Sequence, residues 1–81
     1  MTRSEISAKV SSIIISILKH SDFEMKDELT AADVYGWDSL SHMVILTQIE
    51  EDFEFKFKLR EINKLKNMGS LLDIIESKLK N

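Results

Sequence analysis

Apolar residues recur at helical spacing in three stretches of this 81-residue chain and alternate at strand spacing in only one. The alternating stretch, Phe53–Leu59, has no second strand with which it could pair, so we interpret it as an extended connector. The first helical stretch runs from about Ser4 to Leu18 and begins with a capping box formed by Thr2 and Glu5. Its predicted buried side comprises Ile6, Val10, Ile13, Ile14 and Ile17. These patterns predict an all-α fold.

The second predicted helix begins at Asp38, whose side chain can accept hydrogen bonds from the first turn, and ends at about Asp52 or Phe53. It carries two apolar stripes on nearly opposite sides. One stripe comprises Ile45, Leu46, Ile49 and Phe53. The other, which we call the outer stripe, comprises Leu40, Met43, Val44 and Thr47. Only one stripe can face a small core, so the outer stripe either lies under a loop or contacts a partner, and we expect a partner.

A loop of about twenty residues separates the first two helices, from Lys19 to Asp38. It has no sustained period, but apolar residues are scattered among its acidic ones. We expect an ordered loop with a short turn after Thr30, and with Leu29 and Trp37 packed against the helices.

Two further helices are predicted in the last part of the chain. A short third helix should run from about Arg60 to Lys66, and a fourth should extend to about Lys80. The residues expected to point inward are Ile62 and Leu65 of the third helix and Met68, Leu71, Leu72, Ile75 and Leu79 of the fourth. Three longer helices and one short helix, in a chain of this length, predict a single domain over residues 1–81.

The chain contains no cysteine, which removes disulfides, thiolate zinc sites and cysteine nucleophiles from consideration. The apolar run Val10–Leu18 is too short to span a bilayer, which needs about 20 residues. It also lacks the flanking pattern of a secretory signal, because Glu5 interrupts the basic part. We therefore expect a cytoplasmic, monomeric protein that does not insert into membranes.

Charge is distributed unevenly along the chain. Residues 1–55 carry a net charge of −7, whereas residues 56–81 carry +4, within a total of −3. The basic stretch Lys56–Lys66 has Phe57 as its single aromatic residue and no recognisable nucleic-acid motif. We interpret it as a solvated helix face and expect no nucleic-acid partner.

Ser39 follows the predicted helix cap Asp38 and precedes an apolar run, which raises the question of whether it takes part in chemistry. His42 lies three residues further on, but Gly36–His42 does not match the G-x-S-x-G nucleophile elbow, and no sheet is predicted to hold one. The spacing of His20 and His42 fits no common metal-ligand pattern. We therefore expect neither catalysis nor a metal site.

A phosphate ester suits the position of Ser39 better than a catalytic role. The first turn of a helix presents unpaired N–H groups and the positive end of the macrodipole, both of which favour negative charge. Ser39 would then be a tether. Asp38 is a poor neighbour for a phosphate, so we assign it to capping the helix and to contacting the metal of a modifying enzyme.

The segment Gly36-Trp37-Asp38-Ser39-Leu40 opens an apolar helix that ends in Glu50-Glu51-Asp52-Phe53. Together with the long acidic loop before it and the short third and amphipathic fourth helices after it, this segment resembles the acyl carrier protein family over essentially the whole chain. The resemblance implies a four-helix bundle in which Ser39 receives a 4'-phosphopantetheine group from coenzyme A through a separate magnesium-dependent transferase. The thiol of that arm would carry acyl or aminoacyl groups as thioesters, and the chain itself would catalyse nothing.

The resemblance also implies which partners and surface residues serve the carrier. The partners would be the phosphopantetheinyl transferase, an acyl- or aminoacyl-loading ligase and downstream transferases. In this family the second helix is the main recognition surface, in agreement with the outer stripe. The residues expected to bind partners are Trp37, Leu40, Met43, Val44, Thr47, Glu50 and Glu51.

The chain departs from carriers that serve fatty-acid synthesis, which usually have acidic residues just after the serine–leucine pair and in mid-helix. Ser41 and Val44 occupy those positions here, and the third-helix region is basic. A partner that recognises an acidic carrier would lose electrostatic steering at this end. We therefore expect a specialised stand-alone carrier for a dedicated pathway. Two alternatives stay open, namely an aminoacyl (D-alanyl or peptidyl) carrier and an unmodified helical adaptor.

Overall fold

The computed structural model describes residues 1–80 and contains four α-helices within that range. They are α1 (Arg3–Leu18), α2 (Ser39–Phe53), α3 (Leu59–Ile62) and α4 (Met68–Leu79), with a 3-10 turn at Ala31–Asp33. No strand is present in the described part. The all-α prediction is therefore confirmed, with three longer helices and a short third one.

The helix α1 is fixed at its start by the predicted capping box. The Thr2 side chain accepts a hydrogen bond from the Glu5 amide, and Glu5 Oε1 accepts one from the Thr2 amide at 2.8 Å. The two bonds satisfy donors that the first turn cannot pair internally. The buried side of α1 contains Ile6, Val10, Ile13 and Ile14, whereas Ile17 is only partly buried. Ile15 is exposed, as its position opposite these residues predicts.

The core is one cluster between α1, α2 and α4, closed by side chains from the loop and the connector. Helix α2 contributes the stripe Ile45, Leu46, Ile49 and Phe53, as predicted. In the connector Phe57 is 9% exposed, and Phe55 packs edge-to-face on it with ring centroids 4.9 Å apart. Removing these apolar side chains from water supplies most of the stabilisation of so small a fold.

The long loop is ordered because it is tied to the start of α4. The amides of Met68 and Gly69 donate hydrogen bonds to the carbonyl oxygens of Leu29 at 2.7 Å and Asp27 at 2.9 Å. Leu29 is 4% exposed, Trp37 packs partly buried against the core, and the 3-10 turn follows Thr30, so these loop predictions are confirmed. The loop thereby occupies first-turn donors of α4 that would otherwise lack partners.

Arg3 joins the start of α1 to the loop and to α4. Its guanidinium contacts Asp27 at 3.2 Å, Asp73 at 2.8 Å and Glu76. The hydrogen bond to Glu76, followed by that to Asp73, raises the pKa of Arg3 above its usual range. Charge-assisted bonds to several carboxylates hold the first turn of α1 against the last helix.

The predicted extent of α3, Arg60–Lys66, is wrong, because the helix spans only Leu59–Ile62. The cause lies in the cap of α4. Asn67 takes an extended conformation and its side chain accepts a hydrogen bond from the Ser70 amide, while Ser70 Oγ accepts bonds from the amides of Lys66 and Asn67. A chain that enters α4 through this cap cannot continue α3 to Lys66.

Candidate functional site

The first turn of α2 is organised by Asp38. Asp38 Oδ1 accepts hydrogen bonds from the Leu40 amide at 3.0 Å and the Ser41 amide at 2.9 Å. The backbone hydrogen bond from Ser41 is the main cause that lowers the pKa of Asp38, so the cap stays ionised at neutral pH. The predicted role of Asp38 as helix cap is thus visible in the structure.

Ser41 forms the reciprocal half of this cap, because its side chain bonds the backbone of Asp38. Its Oγ accepts a hydrogen bond from the Asp38 amide at 2.9 Å and donates one to the Gly36 carbonyl at 2.8 Å. The hydroxyl therefore fixes the turn that leads into α2. We interpreted Ser41 in the sequence only as the absence of an acid, and this structural role was missed. The spacing Asp-x-x-Ser, which resembles a capping box, could have indicated it.

Ser39 is the first residue of α2 and is exposed. Its hydroxyl makes no hydrogen bond to any other residue among 1–80, in contrast to the hydroxyl of Ser41. A neighbouring molecule can therefore reach the Ser39 oxygen without first breaking a contact of this chain. These are the requirements for a hydroxyl that is modified by another protein.

The expectation that several unpaired N–H groups surround Ser39 is wrong. Four amides at the start of a helix lack helical partners. Side-chain oxygens occupy three of them here, those of Asp38, Leu40 and Ser41, and the Ser39 amide is the fourth. A phosphate ester on Ser39 would be favoured by this amide and by the macrodipole, and opposed by the Asp38 carboxylate. The site thus fits a flexible phosphate-linked arm better than a tightly bound anion.

Trp37 and His42 form a pair on the inner side of this turn. The indole Nε1 of Trp37 donates to His42 Nδ1 at 3.0 Å, and burial lowers the pKa of His42. Both side chains line a cavity of about 60 Å³ between the loop, α2 and the start of α4. The other lining residues are Leu29, Ala31, Leu65, Lys66, Asn67, Met68 and Leu71.

The outer stripe is exposed as the sequence predicts and is not covered by the loop. Leu40, Met43 and Val44 are 78%, 50% and 50% exposed, and with Thr47 and Gln48 they line one shallow groove. Trp37 is not among the residues that line this groove, since it packs inward. The apolar surface therefore begins directly after Ser39 and continues along α2.

The two acidic residues that we expected to bind partners are in different situations. Glu51 is exposed, whereas Glu50 is half-buried and its Oε2 accepts a hydrogen bond from the Phe57 amide at 2.8 Å. Part of the acceptor capacity of Glu50 is thus used to hold the connector. Partner binding by both residues, and by Trp37, stays a prediction.

Within residues 1–80, no three histidine, aspartate or glutamate side chains are grouped so that they could hold a metal ion. No helix in the same range is long and apolar enough to cross a membrane.

Comparison with known families and proteins gives a consistent result. A family model described as "Phosphopantetheine attachment site" matches residues 8–75. The acyl carrier protein of Thermotoga maritima is 31% identical over 78 residues, which are 96% of this chain and 96% of that protein. The acyl carrier protein of Thermosynechococcus vestitus is 30% identical over 79 residues, 98% of each chain.

Among solved structures, this chain is similar to the solution NMR structure of a holo acyl carrier protein from Geobacter metallireducens. The TM-score is 0.83 and the sequence identity is 34%, over 90% of this chain and 84% of that one. The likeness therefore covers most of the chain, including the arrangement of its helices.

Proposed function

This chain belongs to the acyl carrier protein family, and on that basis we propose that Ser39 carries a 4'-phosphopantetheine arm that shuttles acyl groups between enzymes. Carriers of this family have no catalytic activity of their own. The reactive thiol belongs to the arm, which supplies thioester chemistry that no side chain of this cysteine-free chain could provide.

The observation that carries the assignment to Ser39 is the contrast between two serines in one turn. Ser41 is held by hydrogen bonds to Gly36 and Asp38, whereas Ser39 is exposed with a free hydroxyl. Attachment forms a bond between the Ser39 oxygen and the pantetheine-side phosphorus of coenzyme A. The pyrophosphate bond breaks, the nucleotide leaves, and the hydroxyl proton passes to a base of the transferase or to solvent.

The test is intact mass spectrometry after incubation with coenzyme A, magnesium and a broad-specificity phosphopantetheinyl transferase. We expect one added arm on the unmodified chain and none on Ser39→Ala. Ser77→Ala, which removes an exposed serine of α4, is the matched control and should be modified normally. Addition to Ser39→Ala, or no addition to the unmodified chain with several transferases, would contradict the proposal and favour the unmodified adaptor.

We further propose that the carrier serves a dedicated pathway, with partners that dock on the outer stripe. The support is that Val44 stands where carriers for fatty-acid synthesis usually have an acid, and that it is exposed beside Leu40 and Met43 in the groove next to Ser39. Ser41 no longer supports this view, because its hydroxyl is required to cap α2.

An aminoacyl carrier is the second candidate, since an aminoacyl thioester would use the same arm on Ser39. Trapping the thioester-loaded protein from cells and measuring the mass of the released group separates the two. An amine-bearing group would replace the acyl proposal, while a fatty or other amine-free acyl group would support it.

A further inference from the structure

We propose that the basic stretch between α2 and α4 is a second docking surface, which binds an acidic patch on a partner protein. We call it the basic segment, and it comprises Lys56, Lys58, Arg60, Lys64 and Lys66. All five side chains are exposed. None forms an ion pair with a carboxylate of residues 1–80.

The acid within this stretch does not neutralise the basic segment, because it is engaged elsewhere. Glu61 Oε1 lies 2.9 Å from Lys78 Nζ of α4 and accepts a hydrogen bond from the Lys58 amide at 2.7 Å. Its negative charge is therefore balanced by a lysine outside the segment. Lys56 lies beside acids, since it lines one surface depression with Glu50, Glu51 and Glu54. Residues 58–66 carry four bases against one acid and so keep an excess of positive charge, which attracts a complementary acidic surface.

An apolar side chain lies in the middle of these cations. Leu59 is 74% exposed, between Lys58 and Arg60 in sequence, while the neighbouring Phe57 is buried. Protein interfaces typically combine an apolar centre with a charged rim. Leu59 within the basic segment has this composition, so the surface fits a partner that offers a small apolar contact surrounded by carboxylates.

Other anionic partners fit this surface less well. Residues 1–55 carry a net charge of −7, so an extended polyanion such as a bilayer or a nucleic acid meets repulsion beyond the basic segment. The segment also offers no exposed aromatic ring on which bases could stack, since Phe57 is buried. A protein patch of similar size to the segment avoids the acidic remainder.

One end of the basic segment lies close to the turn that contains Ser39. Leu65 and Lys66 line the same cavity as Trp37 and His42, which flank Ser39 in sequence. The Leu65–Lys66 end of the segment therefore lies beside the N-terminal part of α2, whereas Lys56 lies near the C-terminal end of α2, with Glu50 and Glu51. Docking here would add charge-guided association to the apolar contact expected at the outer stripe.

The proposal is tested by NMR titration of the full chain with a short peptide that alternates glutamate and leucine. We expect backbone amide shifts concentrated at residues 56–66 at about 0.01 M salt, with weaker binding at about 0.15 M, where screening is stronger. Lys58→Glu/Arg60→Glu should weaken binding by about tenfold. Leu59→Ser should weaken it to a smaller extent.

Lys19→Glu/Lys80→Glu is the matched control, since it makes the same charge change at two exposed lysines outside the segment. Circular dichroism checks that each variant keeps its helices. Equal weakening by the two double variants, or shifts spread over the whole surface, would overturn the proposal. So would tighter binding of phosphatidylglycerol vesicles or single-stranded oligothymidine than of the peptide. Ser39→Ala should bind the peptide normally. Peptide binding therefore tests the docking surface independently of whether Ser39 carries an arm.

Discussion

The indole Nε1 of Trp37 lies 3.0 Å from Nδ1 of His42, five residues further along the chain. A tryptophan N–H can only donate, so Nδ1 must be the acceptor and the imidazole must be neutral, with its proton on Nε2. The loop and the first turns of α2 are therefore joined by a bond that depends on the protonation state of one histidine.

Acidification should break this bond. Burial lowers the pKa of His42 below its ordinary value of 6.5, so the unfolded chain binds this proton more readily than the folded one. The corresponding contribution to the free energy of unfolding is present above pH 6.5 and is lost as the pH falls from 6.5 through the folded pKa. NMR titration of the His42 ring measures its pKa in the folded protein, and Trp37 fluorescence over the same pH range reports loss of the bond to His42. A His42 pKa at or above 6.5 would contradict the prediction.

Replacing Ser41 by alanine should destabilise the fold and slow modification of Ser39. The change removes the acceptor of the Asp38 amide and the donor to the Gly36 carbonyl. We expect a loss of about 0.5–1.5 kcal/mol in the free energy of unfolding per bond removed. Urea unfolding and the initial rate of arm transfer measure the two effects. Ser77→Ala should change neither, and a normal transfer rate in Ser41→Ala would mean that the turn holds Ser39 without this hydroxyl.

The Asp38 carboxylate should respond to the arm. Hydrogen bonds, chiefly from the Ser41 amide, lower its pKa below 3.8, so their stabilisation is present above that value and is lost as the pH falls through the folded pKa. A phosphate ester on the next residue adds negative charge and should raise the pKa of Asp38 relative to the unmodified chain. Carbon-detected NMR titration of both forms tests this. An unchanged or lower pKa would show that the phosphate points away from the cap.

Gly69→Ala should weaken the attachment of the loop. A Cβ atom at Gly69 would lie 3.0 Å from Asp27 Cβ and 3.3 Å from its carbonyl oxygen, which accepts the Gly69 amide. Overpacking of this kind costs about 1–3 kcal/mol. Urea unfolding gives the loss. Asp27→Gly by itself also removes the contact with Arg3, so the test is a double-mutant cycle, in which Gly69→Ala should cost less when Asp27→Gly is present. A double variant whose losses simply add would show that the Asp27 side chain is not the obstacle.

The sequence predicted those elements that depend on local pattern. Thr2 and Glu5 start α1, Asp38 starts α2, and helical periodicity identifies the buried residues, because each signal lies within one turn or one helix face. The end of α3 was mispredicted because Ser70 and Asn67, which belong to the next helix, determine where it stops. Tertiary context decided that boundary.

The candidate site shows the same division. Ser39 was a candidate in the sequence because it follows the helix cap and precedes an apolar run, and the resemblance to acyl carrier proteins implied its role, which stays a prediction. The exposure of the outer stripe was expected because α2 has two apolar stripes and a small core can bury only one of them. The bond between Trp37 and His42 was not predictable, because Trp37 precedes the helix and its direction is set by the loop. The engagement of Glu50 by the Phe57 amide likewise depends on how the connector folds back.

The contacts of Arg3 with Asp73 and Glu76 join side chains 70 and 73 positions apart in a chain of 81. Nearly the whole polypeptide is thereby closed into a ring through one guanidinium. The entropy cost of closing a loop rises only slowly with its length, so closing a loop of about 70 residues costs little more than closing a shorter one. Fraying of the first turn of α1 and detachment of α4 are therefore linked, since neither can proceed far while Arg3 stays bound to Asp73 and Glu76.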